Sequence, residues 1–231
     1  YADEIFALGR ELLDGVAGEP TGRALRLMVG VAEALPKLIA YRLLHPALTI
    51  PGVRVVCQEG STDQLLAELA VHRLDLVLSD APMNPGIKVR AFSHLLGESG
   101  VSFLAGARLC RKLRTSFPGS LDQAPFYLPT ENTMLRRSLD HWFDATNIRP
   151  VIKAEFEDSA LLKFFGREGG AVIVVPTVVE EDVCRQFGVE PIGRLETVRE
   201  RFYAISIERR IKHPAVLAIT DKARELLRRE R

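Results

Sequence analysis

Polar residues collect where the predicted strands of this chain end and the next helices begin. In an open parallel sheet, the carboxyl ends of the strands share one edge, and ligands bind beyond that edge. The spacing therefore predicts one binding cleft that is built from four short segments. These segments are Val31–Ala34, Gly60–Thr62, Thr130–Asn132 and Glu157–Ser159.

The first turns of helices would give this cleft its chemistry. A helix N-terminus carries unpaired N–H groups and a partial charge of about +0.5, which favours an anion or a polar group. Ser61, Thr62 and Thr130 suit such ligand contacts, yet the same residue types also cap helices without any ligand. Both interpretations stay open, because one residue can serve in both ways.

Asp80 stands at the end of a third apolar run, within the stretch RLDLVLSDAPMNPG at 73–86. The carboxyl end of a strand is the ligand side of the sheet. No catalytic partner accompanies Asp80, so we interpret it either as a ligand contact or as a hydrogen-bonding group at the cleft rim. Asp75 lies at the other end of this strand, away from the cleft, and we expect a structural role there.

Motifs typical of enzymes are missing from the sequence. It contains no GxSxG, HExxH, GxxxxGK[ST] or GxGxxG pattern, and these are the patterns that mark common catalytic and phosphate-binding sites. The histidines include no i,i+4 pair suited to a metal, and His72 and His141 are predicted to lie mid-helix as packing or surface residues. We therefore expect no enzyme activity, no cofactor and no catalytic metal.

The composition is that of a globular protein without an extended basic surface. Of 231 residues, 47% are hydrophobic and 26% are charged, and 31 Lys and Arg balance 30 Asp and Glu to a net charge of +1. This balance argues against a strong nucleic-acid surface on this chain. The three cysteines form no CxxC pair and are expected to be reduced, mostly buried thiols in the cytoplasm. No apolar run reaches the roughly 18 residues of a membrane span, and no signal peptide is predicted.

Strand and helix patterns alternate along the chain, which predicts right-handed βαβ units and parallel strands. A helical pattern at 1–19 comes first and opens without Met, so the chain is expected to be part of a longer protein. The predicted strands are 24–30, 53–59, 74–80, 124–129, 151–157 and 170–176, and the predicted helices are 33–44, 61–73, 130–147, 158–169 and 213–230.

Two connecting stretches divide this pattern into two α/β groups. The stretch 87–106 is predicted as two strand-like runs broken by Gly97 and Gly100, and 192–210 returns toward the last helix. A chain that leaves one group, builds another and crosses back forms two subdomains around a hinged cleft. The expected division is 20–98 plus 203–231 for subdomain I and 99–202 for subdomain II, with crossover strands near 95–105 and 193–203.

The order and spacing of several stretches resemble the effector-binding domain of LysR-type transcriptional regulators. The stretches are LRLMVGVAEALPKLI, EGSTDQLLAELAVHRLDLVLSD, RRSLDHWFDATNIRP, EFEDSALLKFFGREGGAVIVVP and ERFYAISIERRIKHPAVLAI. The resemblance covers about residues 20–231, and the helix at 1–19 is similar to the end of this family's linker helix. ADEIFALGRELLD, LSDAP, GESGVSF and ERRIKHPAV are most similar to the NhaR-type, sodium-responsive activators of sodium/proton antiporter genes.

The resemblance implies a periplasmic-binding-protein type II-like α/β fold with two Rossmann-like subdomains. It also implies a cytoplasmic activator that does not associate with a membrane. This activator would be a homodimer or tetramer, and it would bind DNA through an N-terminal winged helix-turn-helix that is absent from this chain. The implied effector-binding residues are Glu33, Ala34, Ser61, Thr62, Thr130, Glu131, Asn132 and Phe202. The position of Asp80 at the carboxyl end of its strand adds it to this predicted site.

A carboxylate at position 33 departs from the small or hydroxyl residues that are common in the family, and it favours a cation as the effector. Helix N-termini repel Na⁺, so carboxylates and neutral oxygens would have to outweigh them. The candidate Na⁺ contacts are Glu33, Asp80 and Glu131. A solute-binding protein of a transport system on the same fold remains the alternative, and an enzyme such as a dehydratase or transferase is a third interpretation.

Overall fold

The computed structural model describes residues 25–84, 86, 90–207 and 213–228. The helical pattern at 1–19 and the last residues of the predicted final helix lie outside the described residues. The strands are β1 Leu25–Ala32, β2 Val53–Gly60, β3 Leu76–Ser79, β4 Phe92–Ala105, β5 Pro125–Pro129, β6 Val151–Phe156, β7 Ile173–Pro176 and β8 Glu190–Ser206. The helices are α1 Lys37–Leu48, α2 Thr62–Ala70, α3 Ala107–Arg114, α4 Met134–Thr146, α5 Ser159–Arg167, α6 Glu180–Phe187 and α7 Pro214–Arg228.

A six-stranded mixed sheet in the order β2-β1-β3-β8-β4-β7 forms the centre of the fold. The predicted parallel pairing is present where β1 lies between β2 and β3. The strand β8 pairs antiparallel with β3 and β4, and β7 pairs antiparallel with β4. A parallel pair of β5 and β6 adjoins this sheet through a bridge between Phe126 and Val172.

Each of the two crossover segments forms one continuous strand, which the sequence did not suggest for the first of them. The stretch predicted as two broken runs is one 14-residue strand, β4, which pairs with the 17-residue β8. Two of the three register shifts adjoin Gly97 and Gly100, so these glycines accompany β-bulges and do not end the strand. A Cβ atom at Gly97 would lie 2.6 Å from Leu227, which explains the need for glycine at this close approach to α7. The expected subdomain boundaries fall within β4 and β8, and the division stays a prediction.

Helix α1 begins later than predicted, at Lys37 instead of residue 33. The chain first makes a turn in which the N–H of Leu35 donates to the carbonyl of Ala32 over 2.9 Å, so Glu33 lies in a turn and not in a helix. Pro36 takes the N-cap position, and the helix continues past Pro46. Pro46 has no backbone N–H, so the helix lacks one hydrogen bond at this position. Burial of Leu43 and Ala47 in the core stabilises the helix on either side of Pro46.

Helix α4 also begins later than predicted, because Thr133 caps it and Thr130 does not. The hydroxyl oxygen of Thr133 accepts from the N–H of Arg136 over 3.2 Å, in the pattern of an N-cap. The hydroxyl of Thr130 instead donates to Oδ1 of Asn132 at 2.6 Å. The segment 130–132 therefore forms a loop before the helix.

Some elements and residues differ from the predicted pattern. Helices α3 and α6 had no predicted counterpart, since each is only eight residues long. His72 follows α2 with a φ of 59°, whereas a mid-helix position was expected. Of the cysteines expected to be mostly buried, Cys110 is buried, Cys184 is half-buried and Cys57 is exposed on β2.

Candidate functional site

A cavity of about 170 Å³ opens beyond the carboxyl ends of β1, β2, β3 and β6. Its walls are the turn after β1, the starts of α2 and α4, and the residues that follow β3 and β6. Six of the nine predicted effector-binding residues line this cavity, and their role as effector contacts stays a prediction. They are Glu33, Ala34, Ser61, Thr62, Asp80 and Asn132.

Three predicted site residues lie outside this cavity. Phe202 is fully buried in the hydrophobic core on β8. The side chain of Glu131 is 84% exposed, and its Oε1 lies 3.9 Å from Nη2 of Arg136. Thr130 belongs to the loop before α4, where its hydroxyl contacts Asn132. Because α4 starts late, Thr130, Glu131 and Asn132 all lie in the loop before it, and of these three residues Asn132 lines the cavity.

Asp80 joins the end of β3 to the start of α4. Its side chain is almost fully buried, with 9% of the residue exposed. Burial raises the pKa of this carboxyl group, and hydrogen bonds from the backbone N–H groups of Asp80 and Met134, together with the charge of Arg137, partly oppose the increase. Asp80 is therefore both a cavity residue and a hydrogen-bond acceptor at the N-terminus of α4.

The helix starts around the cavity are already partly satisfied by side chains. Ser61 accepts from the N–H of Gln64 at 3.4 Å, and Gln64 Oε1 accepts from the N–H of Ser61 at 3.3 Å, which completes a capping box. Thr133 caps α4 in the same manner. Ser61 thus serves as a helix cap while it also lines the cavity. Because these side chains already accept from backbone N–H groups, the starts of α2 and α4 attract an anion less strongly.

The charged side chains of the cavity favour a cation. Three carboxylates, those of Glu33, Asp80 and Glu157, face a single guanidinium, that of Arg137, among the described lining residues. The formal balance is two negative charges. A cation or a protonated amine would reduce this excess, whereas a carboxylate ligand would add to it.

A smaller inner chamber of about 30 Å³ adjoins the cavity. The two spaces share Ala34, Asp80, Thr133 and Glu157 in their walls. The inner chamber is otherwise lined by apolar side chains and by three further polar residues of α5 and β8. These are Ser159, Lys163 and Glu200.

Lys163 and Glu200 are charged residue types held in the interior. They are only 5% and 4% exposed. Burial lowers the pKa of Lys163 to about 8, against the opposing charges of Glu200 and Asp158. Burial, with the nearby charge of Asp80, raises the pKa of Glu200 to about 8, and Lys163 partly opposes this. The ammonium of Lys163 donates to the backbone carbonyl of Ser159 at 2.9 Å.

The sequence pattern holds a signal for Glu200 that the predicted site omits. Val198, Glu200 and Phe202 alternate along β8, and all three are buried. A strand with period-two alternation points such residues to one face, so a Glu between two inward apolar residues marks a buried carboxylate. Lys163 carries a weaker signal, a single Lys within the apolar run LLKFF of α5.

Arg136 fixes the first turn of α4 beside the cavity. Its guanidinium donates to the carbonyl of Pro129 at 2.9 Å and to Asp140 at 2.9 Å, and it pairs with Glu155 on β6. The side chain of Arg136 is only 5% exposed. These contacts tie α4 to the ends of β5 and β6, and they hold Thr133 and Arg137 in the cavity wall.

Metal-binding clusters and membrane-spanning helices were two further features to consider in the described part of the chain. Within the described ranges, no group of three or more His, Cys, Asp or Glu side chains is arranged to hold a metal ion. Among the helices in the part of the chain that the structure describes, none is long and apolar enough to cross a membrane.

The sequence comparisons point to one family. A model described as the LysR substrate binding domain matches residues 21–228. The "Transcriptional activator protein NhaR" of Escherichia coli (strain K12) is 37% identical over 223 residues, which cover 96% of this chain and 72% of that protein. The protein of the same name from Shigella flexneri matches to the same extent.

Solved structures share the fold at low sequence identity. The reduced regulatory domain of OxyR2 from Vibrio vulnificus has a TM-score of 0.68 and 13% identity, covering 90% of this chain and 99% of that chain. The regulatory domain of HypT from Salmonella typhimurium has a TM-score of 0.62 and 15% identity, covering 92% and 99%. These similarities confirm the predicted periplasmic-binding-protein type II-like α/β fold.

Proposed function

The chain belongs to the LysR substrate-binding domain family, and we propose that its cavity binds a small cationic effector, with sodium as the first candidate. The chain is the effector-binding domain of a LysR-type transcriptional regulator. Regulators of this family bind small-molecule effectors and act with DNA as oligomers. The relatives are transcriptional regulators and not enzymes, so the catalytic interpretation is wrong.

The excess of carboxylates in the cavity carries this proposal. Glu33, Asp80 and Glu157 outnumber the single cation, Arg137, among the described lining residues. The N–H groups that would attract an anion are partly capped by Ser61 and Thr133. Hard monovalent and divalent cations prefer oxygen ligands of the kind that these side chains offer.

The wider role follows from the resemblance to sodium-responsive activators and from the 37% identity to proteins named NhaR. The regulator would act in the cytoplasm and control a sodium/proton antiporter gene. It would bind DNA as a homodimer or tetramer through a winged helix-turn-helix that is not part of this chain. Effector binding would change the angle between subdomain I (20–98 plus 203–231) and subdomain II (99–202), and so alter the geometry of the oligomer on DNA.

Thermal unfolding in matched salts tests the proposal. We expect NaCl to raise the Tm of the 231-residue chain more than KCl does at equal ionic strength, because a ligand that binds only the native state stabilises it. Glu33→Gln should remove most of this difference. Glu131→Gln is the matched control, since Glu131 lies outside the cavity, and it should retain the difference. An equal effect of both salts on the wild-type chain would contradict a specific cation site.

The solute-binding alternative receives no support from a specific observation. The relatives at 37% identity are named as transcriptional activators.

A further inference from the structure

We propose that the cavity of about 170 Å³ binds an organic cation that also carries one carboxylate, as a basic amino acid does, and that Arg137 contacts this carboxylate. This inference rests on the proposed function, because the ligand occupies the same cavity and pairs with the same acidic side chains. It adds a ligand class beyond an inorganic ion. It also assigns a role to Arg137, which was not among the predicted site residues.

Arg137 is a cation that the cavity leaves without an acidic partner. It lies in the wall of the cavity, and the residue is exposed. Its Nη2 donates to the thioether sulfur of Met134 at 2.9 Å, and such a sulfur is a weak acceptor. Among the described residues, no carboxylate forms an ion pair with Arg137, although its charge acts on Asp80 from a distance. The planar fork of this guanidinium therefore remains available to the carboxylate of a ligand.

Two of the three carboxylates in the cavity are also available to a ligand. Asp80 already accepts hydrogen bonds from the backbone N–H groups of Asp80 and Met134. The side chains of Glu33 and Glu157, by contrast, form no hydrogen bond or ion pair with another described residue, and both residues are exposed. Each of these two carboxylates can therefore receive a protonated amine without losing an existing partner.

The available charges specify the chemistry of the ligand. Glu33 and Glu157 can pair with two ammonium groups, and Arg137 can pair with one carboxylate. A basic amino acid carries this set of charges near neutral pH. It reduces the negative excess of the cavity, as an inorganic cation does, and it also uses the guanidinium. An inorganic cation would instead leave Arg137 facing a like charge, which is unfavourable.

The size of the cavity favours an organic ligand over a single ion. Because one water molecule needs about 10–15 Å³ of such space, a cavity of about 170 Å³ holds roughly ten water-sized bodies. One dehydrated ion would fill only a small part of it, whereas an amino acid with a long side chain would fill most of it. Ser61, Thr62 and Asn132 add hydroxyl and amide groups to the wall, and these groups can hydrogen-bond to the polar ends of such a ligand.

The three charged contacts belong to three different elements of the fold. Glu33 lies in the turn after β1, Arg137 lies in α4, and Glu157 follows β6. Glu33 falls in the predicted subdomain I, and the other two residues fall in the predicted subdomain II. A ligand with charges of both signs would therefore join the turn after β1 to α4. Its binding would favour the arrangement of the domain in which these contacts are made together.

Isothermal titration calorimetry at constant ionic strength, with choline chloride as the balancing salt, tests the inference with matched ligands. Lysine is compared with cadaverine, and β-alanine with ethylamine, because each amine is the amino acid without its carboxylate. Lysine should bind the wild-type chain roughly 3–10-fold more tightly than cadaverine does, although cadaverine carries more positive charge. β-Alanine should show the same preference over ethylamine.

One variant and one control assign this preference to Arg137. Arg137→Gln should weaken the binding of lysine roughly 3–10-fold, because the carboxylate loses its partner. The same variant should strengthen the binding of cadaverine, because it removes a positive charge from the cavity. Lys112→Gln is the matched control, since Lys112 is exposed on α3 and does not line the cavity, and it should leave both affinities unchanged.

The outcomes separate this inference from the proposed function. Equal binding of lysine and cadaverine to the wild-type chain would overturn the inference, and so would unchanged binding of lysine to Arg137→Gln. If neither amino acid binds while NaCl still raises the Tm more than KCl does, the cavity is a site for an inorganic cation and only the inference is wrong. If no amino acid, amine or sodium ion binds, both ideas are wrong. Circular dichroism confirms that the variants are folded; should Arg137→Gln not fold, the comparison of lysine with cadaverine on the wild-type chain still decides.

Discussion

Replacing Glu200 with Gln is expected to stabilise the ligand-free domain, by an amount that grows with pH. In the native chain, burial raises the pKa of Glu200 from its ordinary value of 4.5 to about 8. The unfolded chain has released this proton above pH 4.5, whereas the native chain retains it up to about pH 8. The native state therefore binds the extra proton across this window, and the stability of the wild-type chain falls as pH rises.

The size of the effect follows from this difference in proton binding. Each pH unit within the window lowers the free energy of unfolding by about 1.4 kcal/mol. From about pH 4.5 to about pH 7.5 the loss sums to roughly 4 kcal/mol, which is an upper limit because water entry and relaxation reduce the effect of burial. Gln has the same shape and does not titrate, so Glu200→Gln should avoid the loss.

Urea unfolding followed by circular dichroism measures the prediction. Both chains would be unfolded at pH 5, 6, 7 and 7.5 in a sodium-free buffer with choline chloride, and the free energies would be compared at equal m-values. The difference should be small near pH 5 and increase steadily toward pH 7.5. A difference that is constant with pH, or a variant that is less stable at every pH, would refute the assignment of Glu200 as a strained buried carboxyl group.

Three further changes test other parts of the structure. Lys163→Met should stabilise the domain by up to roughly 3 kcal/mol below pH 8, because burial lowers the native pKa of Lys163 from 10.5 to about 8 and the charged form destabilises the native state. In the same urea assay, this gain in the free energy of unfolding should vanish as the pH approaches 10.5. Arg136→Ala should lower the free energy of unfolding by about 1–3 kcal/mol, because the buried guanidinium donates to the carbonyl of Pro129 and to Asp140. An unchanged urea midpoint would show that these contacts do not hold α4. Gly97→Ala should lower the free energy of unfolding by about 1–3 kcal/mol, because the added methyl group overpacks against Leu227. Gly119→Ala is the control in thermal unfolding, since a Cβ atom there meets no atom within 4 Å. Equal Tm values for the two variants would contradict the close approach of Gly97 to Leu227.

The convergence of Glu33, Ser61 and Asp80 is predictable from the sequence because it depends only on strand order. Each follows one of three strands that pair in parallel, so their carboxyl ends meet at one edge of the sheet. The apolar runs and the helix caps between them are sufficient to identify those strands. The same logic extends to Asn132, although the helix it precedes starts later than expected.

The sequence pattern and the structure differ where tertiary contacts outweigh local preference. Thr is a common cap residue, which favoured Thr130 as the start of the helix, but Thr133 takes that role and Glu131 is left in the loop before it. Gly97 suggested the end of a strand, yet the pairing of β4 with β8 continues past it. Phe202 turns into the core, and the residue two positions earlier, Glu200, reaches the inner chamber. No local pattern could show that Lys163 would meet Glu200 across the fold.

Cation binding at the carboxylates that line the cavity, those of Glu33, Asp80 and Glu157, is tested most directly by its linkage to folding. The measurement is the free energy of unfolding of the 231-residue chain as choline chloride is replaced stepwise by NaCl at constant ionic strength. We expect a rise that follows the saturation curve of one site and reaches about 2.7 kcal/mol at a Na⁺ concentration roughly 100 times the Kd. A free energy of unfolding that does not change as Na⁺ replaces choline would contradict cation binding.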